Sequence, residues 1–396
     1  MINLKSLVFE NLKSLYLFYL IKIRRTSVNS KVIVFDSRPD YTDNCRALSD
    51  YLLENNYADK YDIYWIVGDA KKYRNSFPKD KVVFIENKGV ARLKNLKLFV
   101  SAKFIFSTHV LPYYREKHNS KQHFILLNHG CGYKDRDLNH KKRKLDVPQF
   151  DKGLVAGPLY KKVFSYYWNS PENKILSIGF PRYDWLKKKD DKAKNMYEKI
   201  RGNNQKMIMW MPTFRVDKYG QRNDTNNLIL FPLLHSQAEW KEIDEFCKSN
   251  HVLLVIKLHI YQKDYDIDWG SFTNIKQITN DEFEKNNVQM YSFLATTDAL
   301  ISDYSSVAVD YLLVDKPIAF ALDDFNLYNS ARGFVFDNPL DYMPGYHLYN
   351  IDDLKAFISD ISSNKDVFSD KRHELNGKLI YNSINYCKEL AIELGL

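Results

Sequence analysis

From about residue 30 the chain alternates short apolar runs with amphipathic stretches. The first runs are Lys31–Asp36 (KVIVFD), Asp62–Val67, Lys81–Ile85, Lys103–Ser107, Phe124–Asn128 and Gly153–Ala156. Between the first two, Asp43–Asn56 (DNCRALSDYLLENN) places Ala47, Leu48 and Tyr51–Leu53 on one side of a predicted helix. Strand, helix and strand in this order are the βαβ signature of a parallel sheet. A second series of strands is predicted at Ile175–Gly179, Met207–Pro212, Val252–Leu258, Ala299–Ser302 and Ile318–Ala321. Helices fit between them at Lys187–Arg201, Gln237–Ser249 and Ser305–Val314. The chain therefore reads as two α/β halves, with a hinge expected near Gly179–Lys189, where a KKK run follows GFPRYDW. The segment Asn376–Leu396 is predicted to be helical and to cross back onto the first half. Polar loops are expected at Arg115–Gln122, Asp135–Asp146 and Arg215–Asn227.

The segment Met1–Ser27 has its own pattern. Leu4, Val8, Leu12, Leu15 and Tyr19 recur at about helical spacing, and Lys5, Lys13, Lys22, Arg24 and Arg25 are basic. Charge within the apolar stretch and the lack of a small-residue cleavage site argue against a signal peptide. Two readings stay open: a first helix packed on the body, or a helix lying in a membrane interface. The second needs an exposed apolar face. No stretch reaches the roughly 20 apolar residues needed to span a bilayer.

Composition narrows the partners. At 396 residues the chain suits two domains or one large α/β unit. Hydrophobic residues at 45% and charged residues at 27% exclude wholesale disorder. Lys and Arg total 58 against 49 Asp and Glu, and a net charge of +9 favours anionic partners. Cys45, Cys131, Cys247 and Cys387 are isolated in the sequence, which fits a reducing compartment better than a disulfide framework or a zinc site. We expect no metal and no cofactor.

In open α/β sheets, ligands bind at the carboxyl ends of strands. After Phe124–Asn128 comes His129-Gly130-Cys131-Gly132, a histidine beside flexible backbone that suits a general base or a polar turn. After Met207–Pro212 come Thr213 and Arg215, a hydroxyl and a guanidinium that suit a phosphate or a plain surface. After Val252–Leu258 comes His259, a second strand-end histidine in the other half, and the pair points to a shared cleft. Ala299–Ser302 runs into Asp303-Tyr304-Ser305-Ser306, where Ser305 can cap a helix, hold a phosphate, or do both. Arg332-Gly333 is a more generic phosphate contact. The GxxxxGK[ST], HExxH and GxSxG patterns do not occur, and the basic runs HKKRK and KKK come without a nucleic-acid module.

Taken in order, these motifs resemble the CDP-glycerol glycerophosphotransferase family of teichoic-acid primases and polymerases. Tyr41-Thr42-Asp43-Asn44 is similar to its Y-S-D-N segment. His129-Gly130 is similar to its His-Gly-Thr motif, with Cys131 at the Thr position. Ile178–Asp184 (IGFPRYD), Pro212–Arg215 (PTFR), Lys257–His259 (KLH, with Ile260 where Pro is common), Asp303–Ser306 with Asp310, and Arg332-Gly333 with Pro344-Gly345 match its remaining motifs. The resemblance covers about residues 31–350.

It implies two Rossmann-like domains facing a cleft, of glycosyltransferase-B type, after an N-terminal amphipathic helix. The expected divisions are a membrane-associating helix over 1–28, an acceptor domain over 29–180, a CDP-donor domain over 181–375 and a returning helix over 376–396. It implies transfer of glycerol or ribitol phosphate from a CDP-linked donor to a hydroxyl of a lipid-linked saccharide or polymer, with release of CMP. The location implied is the cytoplasmic face of the cell membrane, on an anionic surface, with no nucleic acid involved. His129 and His259 are the expected catalytic residues. Thr213, Arg215, Ser305, Ser306, Asp310 and Arg332 are expected to bind substrate, with Asp310 orienting a hydroxyl or only packing its helix. The alternatives are a sugar transferase of the same fold, and a non-catalytic membrane-surface protein that binds phosphorylated polymer.

Overall fold

In the computed structural model, described over residues 12, 15–73, 81–86, 91–109, 121–135, 150–213, 231–259, 262, 265 and 267–396, the two series of apolar runs form two sheets. The first contains β1 (Asn29–Asp36), β2 (Asp62–Val67), β3 (Val82–Glu86), β4 (Ala102–Ser107), β5 (His123–Leu126), β6 (Lys152–Leu154) and β7 (Ile175–Leu176), in the order β3-β2-β1-β4-β5-β6-β7. The second contains β8 (Lys206–Trp210), β9 (Val252–Ile256), β10 (Ile275–Gln277), β11 (Ala299–Ser302), β12 (Ile318–Ala321) and β13 (Tyr346–Leu348), in the order β10-β9-β8-β11-β12-β13. Each of these strand pairings is parallel. β9 shows why the sequence reads as it does: all of VLLVI is buried, as in a parallel strand covered by helices on both faces.

Several apolar runs overshoot their strands. β5 ends at Leu126, β8 at Trp210 and β9 at Ile256, short of the predicted ends at Asn128, Pro212 and Leu258. Leu127, Asn128, Pro212 and Lys257 stay buried after leaving the ladder, because they pass straight into the junction between the halves. β10 and β13 escape the sequence pattern, since IKQ and YHL each carry polar residues and offer no apolar run.

The predicted helix Gln237–Ser249 is found with those bounds and Asp43–Asn56 as Asp43–Glu54, while three other predicted helical segments are broken. Lys187–Arg201 becomes Tyr183–Lys187 and Asp191–Arg201, the second capped by Asp190 accepting from Lys192 and Ala193 N–H. Ser305–Val314 becomes a helix over Ser306–Asp310 and a 3-10 turn over Tyr311–Leu313. Asn376–Leu396 is not one helix. Ser369–Leu379 kinks at Asn376, and a separate helix follows at Tyr386–Glu393.

The last segment packs on the first half. Tyr381 N–H donates to the Ala156 carbonyl (2.7 Å), and the Asp184 carboxylate accepts from the N–H groups of Tyr386 (2.7 Å) and Cys387 (3.0 Å). A continuous hydrophobic core runs from the first sheet to Tyr304, Val309 and Tyr311 of the second half. At the start, Leu20 is buried against Leu96 and Val100, while Leu15 (66% exposed), Phe18 (56%) and Ile23 (65%) face out. Residues 1–11, 13 and 14 lie outside the described set. Among the described residues no helix is long and apolar enough to cross a membrane.

Candidate active site

The carboxyl edges of the two sheets face each other, and the loop after β5 fills the gap. Asn128 takes a left-handed conformation (φ 58°), and its side chain fixes the turn. The amide oxygen accepts from His129 N–H (2.9 Å), and the amide nitrogen donates to the Leu154 carbonyl (3.3 Å). Asn44, in the helix Asp43–Glu54, donates to the carbonyls of Leu127 (3.3 Å) and Asn128 (2.9 Å). His129 is thus exposed on a rigidly held turn. Cys131, at the family's Thr position, points into the first half, where its Sγ accepts from Ala156 N–H (3.4 Å).

The next residues meet the second half. Gly130 has φ 144°, and a Cβ there would collide with Ser306 Oγ and lie 2.8 Å from Ser306 Cβ. A Cβ on Gly132 would lie 2.8 Å from Ser306 N. Side chains at either position would push the His129 loop off the start of the helix Ser306–Asp310. The glycines therefore allow His129, Ser305 and Ser306 to share one site. Ser305 stands at the N-cap without a side-chain cap bond, and both serines are partly exposed. The helix has only five residues, so its macrodipole is small. First-turn N–H groups and hydroxyls are what it offers an anion.

Beyond Gly132 the chain pairs with the second half. Lys134 bridges Phe334, Asp135 N–H donates to the Gly333 carbonyl (3.0 Å), and Val335 N–H donates to the Tyr133 carbonyl (2.9 Å). Arg332 Nε donates to the Asp135 carbonyl (2.9 Å). Thr213 is buried, its N–H and hydroxyl donating to the fully buried Asp303 carboxylate (2.8 and 2.5 Å). Lys134 Nζ donates to the Thr213 hydroxyl (3.2 Å). The hydroxyl expected to meet a phosphate thus ties β8, β11 and the His129 loop together.

His259 is exposed just past β9, beside the end of β8, with Lys257 N–H donating to the Trp210 carbonyl (2.9 Å). Burial lowers the Lys257 ammonium to about 8, and its Nζ donates to the Leu258 carbonyl (2.9 Å). Arg215 lies outside the described residues.

Asp310 is fully buried. Its carboxylate accepts from Arg182 Nη2 (2.7 Å), the Tyr183 hydroxyl (2.5 Å) and the Tyr291 hydroxyl (2.5 Å). Of the two roles weighed from sequence, this environment is that of a packing residue. Arg182, to which the sequence assigned no role, also donates through Nη1 to Asp43 (2.7 Å) and to the His129 carbonyl (3.0 Å). One buried guanidinium thus joins the first half, the second half and the backbone of the strand-end histidine. Its sequence signal is its place in the IGFPRYD motif, an arginine closing a Gly-Phe-Pro turn. Among the described residues no group of three His, Cys, Asp or Glu side chains is placed to hold a metal.

The family model described as CDP-Glycerol:Poly(glycerophosphate) glycerophosphotransferase matches residues 17–383. The chain is 26% identical over 368 residues to the teichoic acid glycerol-phosphate primase of Bacillus subtilis (strain 168), covering 88% of this chain and 89% of that one. It is 24% identical over 349 residues to the teichoic acid poly(ribitol-phosphate) polymerase of Bacillus spizizenii (strain ATCC 23059 / NRRL B-14472 / W23), covering 84% of this chain and 51% of that one. A structure of the wall teichoic acid polymerase TagF matches with a TM-score of 0.72 at 20% identity, covering 98% of this chain and 96% of that one. This likeness places the two halves and their cleft in the glycosyltransferase-B class of folds.

Proposed function

The chain belongs to the CDP-glycerol:poly(glycerophosphate) glycerophosphotransferase family, and from that premise we propose that it transfers an alditol phosphate from CDP-glycerol or CDP-ribitol to a hydroxyl of a lipid-linked acceptor. The observation that carries this reading is the close approach of Gly130 and Gly132 to Ser306, which joins a histidine of one half to a phosphate-binding turn of the other.

The donor pyrophosphate lies against Ser305, Ser306 and the adjoining N–H groups. His129 takes the proton of the acceptor hydroxyl as its oxygen attacks the β-phosphorus. The new P–O bond forms as the bridging P–O bond to CMP breaks. CMP leaves with both bonding electrons, and His259, Arg332 and Arg215 balance its charge. Lys257, two residues before His259, adds a cation close to neutral pH. Thr213, Asp303 and Asp310 position these groups.

We assign the exposed face of Leu15, Phe18 and Ile23, with Lys22, Arg24 and Arg25 close by, to the cytoplasmic surface of an anionic membrane. Each apolar side chain entering the acyl boundary contributes on the order of 1 kcal/mol, and each basic residue about as much again.

The test is nucleotide release from a panel of CDP-glycerol, CDP-ribitol and UDP-sugars with a lipid-linked acceptor. CMP release with a CDP-alditol is expected. His129→Ala should lower turnover by about 10²–10⁴-fold at unchanged folding. Release of UDP alone, or full turnover in His129→Ala, sinks the reading.

A further inference from the structure

Side chains hold both backbone polar groups of His129. Its N–H donates to Asn128 Oδ1 (2.9 Å), and its carbonyl accepts from Arg182 Nη1 (3.0 Å). Asn44, fully buried, completes the clamp. Its amide nitrogen donates to the Leu127 and Asn128 carbonyls, and its amide oxygen accepts from Arg182 N–H (3.2 Å). The histidine is therefore exposed at its ring and fixed at its backbone.

Arg182 stands where the chain passes from β7, in the first sheet, to β8, in the second. Nη1 also donates to Asp43 (2.7 Å), in the same helix as Asn44. Nη2 reaches the second half and donates to Asp310 (2.7 Å), the last residue of the helix that begins at Ser306. A Cβ on Gly130 would lie 3.3 Å from Nη2, so the guanidinium packs against the loop that carries His129. Arg182 Cζ lies over the rings of Tyr291 (4.8 Å to the centre) and Phe180 (5.1 Å), which fix the plane of the fork.

Stability alone is a weak reason for such a cluster. Replacing a buried ion pair by well-packed apolar residues is often neutral or stabilising. Arg182 Nε, moreover, is buried with no hydrogen-bond partner among the described residues, a donor left unsatisfied. What the fork does set is a spacing. One nitrogen holds the backbone of the base, and the other holds the end of the helix whose first turn faces the donor phosphates.

We propose that Arg182 is a positioning residue: it fixes the His129 imidazole against the Ser305-Ser306 turn, so that the acceptor oxygen and the β-phosphorus meet in line. Buried as it is, it acts through His129 and Asp310 and needs no contact with either substrate. Because Nη1 and Nη2 bind different halves, the base is set in place only when the halves are docked. The inference rests on His129 as the base of the reaction proposed above.

Its test separates folding from turnover. Arg182→Met/Asp310→Asn removes cation and anion together, and thermal unfolding should show most of the loss in Arg182→Met recovered. CMP release per folded molecule should nevertheless stay about 10²-fold below wild type, because the His129 carbonyl has lost its donor and a misplacement of about 1 Å costs that much. The loss should fall on kcat, with KM for CDP-glycerol changed by less than about threefold. Arg182→Lys keeps a charge against Asp310, but one ammonium nitrogen cannot stand at both Nη positions, so it should lose about tenfold or more in kcat. A readout without turnover is the histidine side-chain NMR spectrum, with the His129 signal assigned by His129→Ala. In the double variant that signal should shift or broaden, while the signal of His251, at the amino end of β9, stays in place. Wild-type kcat in the folded double variant or in Arg182→Lys, or an unchanged His129 signal, overturns the positioning role. Failure of wild type to release CMP with every donor would instead strike the proposed reaction, and the ring signal would still report whether Arg182 fixes His129.

Discussion

Replacing Arg182 with methionine removes the cation that, among the described residues, pairs with Asp310. Arg182 is 2% exposed and Asp310 is fully buried, while Asp43, its other carboxylate partner, is 20% exposed. Methionine roughly fills the volume but leaves Asp310 charged in a buried site, with only the hydroxyls of Tyr183 and Tyr291 donating to it. Water can rehydrate Asp43 in part, so most of the cost comes from Asp310. Breaking a buried pair by removing one partner costs about 3–5 kcal/mol. A protein of ordinary stability has about 5–15 kcal/mol in all. At about 2–4 °C per kcal/mol for domains of this size, the melting temperature should fall by roughly 6–20 °C. Arg182→Met/Asp310→Asn should recover much of the loss, giving a coupling energy of about 1–3 kcal/mol in a double-mutant cycle.

A deficit below about 1 kcal/mol, additive with Asp310→Asn, would refute the claim that this cluster holds the halves together.

Three further outcomes are expected. Gly130→Ala places a Cβ against Ser306 at φ 144° and should cost about 1–3 kcal/mol by thermal unfolding, with loss of CMP release out of proportion to the loss of folded protein. Asp36→Asn removes a carboxyl raised from 3.8 to about 7 by burial, whose stabilising proton is bound below the unfolded value and lost as pH rises through the folded one. Over the pH range from about 5.5 to 7 the folded carboxyl keeps its proton while the unfolded one has lost it. The variant's advantage in chemical denaturation should therefore be about 2 kcal/mol larger at pH 8.5 than at pH 5.5, before allowance for relaxation of the site. Leu15→Glu/Ile23→Glu should reduce co-sedimentation with anionic vesicles while leaving CMP release to a water-soluble acceptor unchanged; undiminished co-sedimentation would remove this helix from the membrane surface.

The parallel sheets were legible because strands covered on both faces must be apolar along their length, and VLLVI and the VIVF of β1 are. Strand ends were less legible. Leu127, Asn128 and Pro212 are as buried as the strands they leave, so hydrophobicity could not say where the ladder stops. The strand-end rule brought attention to His129, Ser305 and Ser306, and Gly130 and Gly132 bring these residues together. The supporting contacts were out of reach. Nothing near Arg182 in the sequence announces Asp310, 128 residues away, and Thr213 reads as an exposed hydroxyl until Asp303 and Lys134 are seen to enclose it.

The return of the last segment onto the first half bears on how the protein is made. Asp184 finds its N–H donors at Tyr386 and Cys387, the former 202 residues further along the chain. Gly157 is covered by the backbone of Leu379 and Ile380. During synthesis, the first sheet can be finished while this cover is still missing, and the second sheet must emerge before it arrives. Such distant pairing is slow, and it leaves an intermediate with apolar surface open to other chains. A ribosome that stalls after β13 would release a product with both sheets encoded but the first half uncovered, a form suited to early recognition by chaperones or proteases.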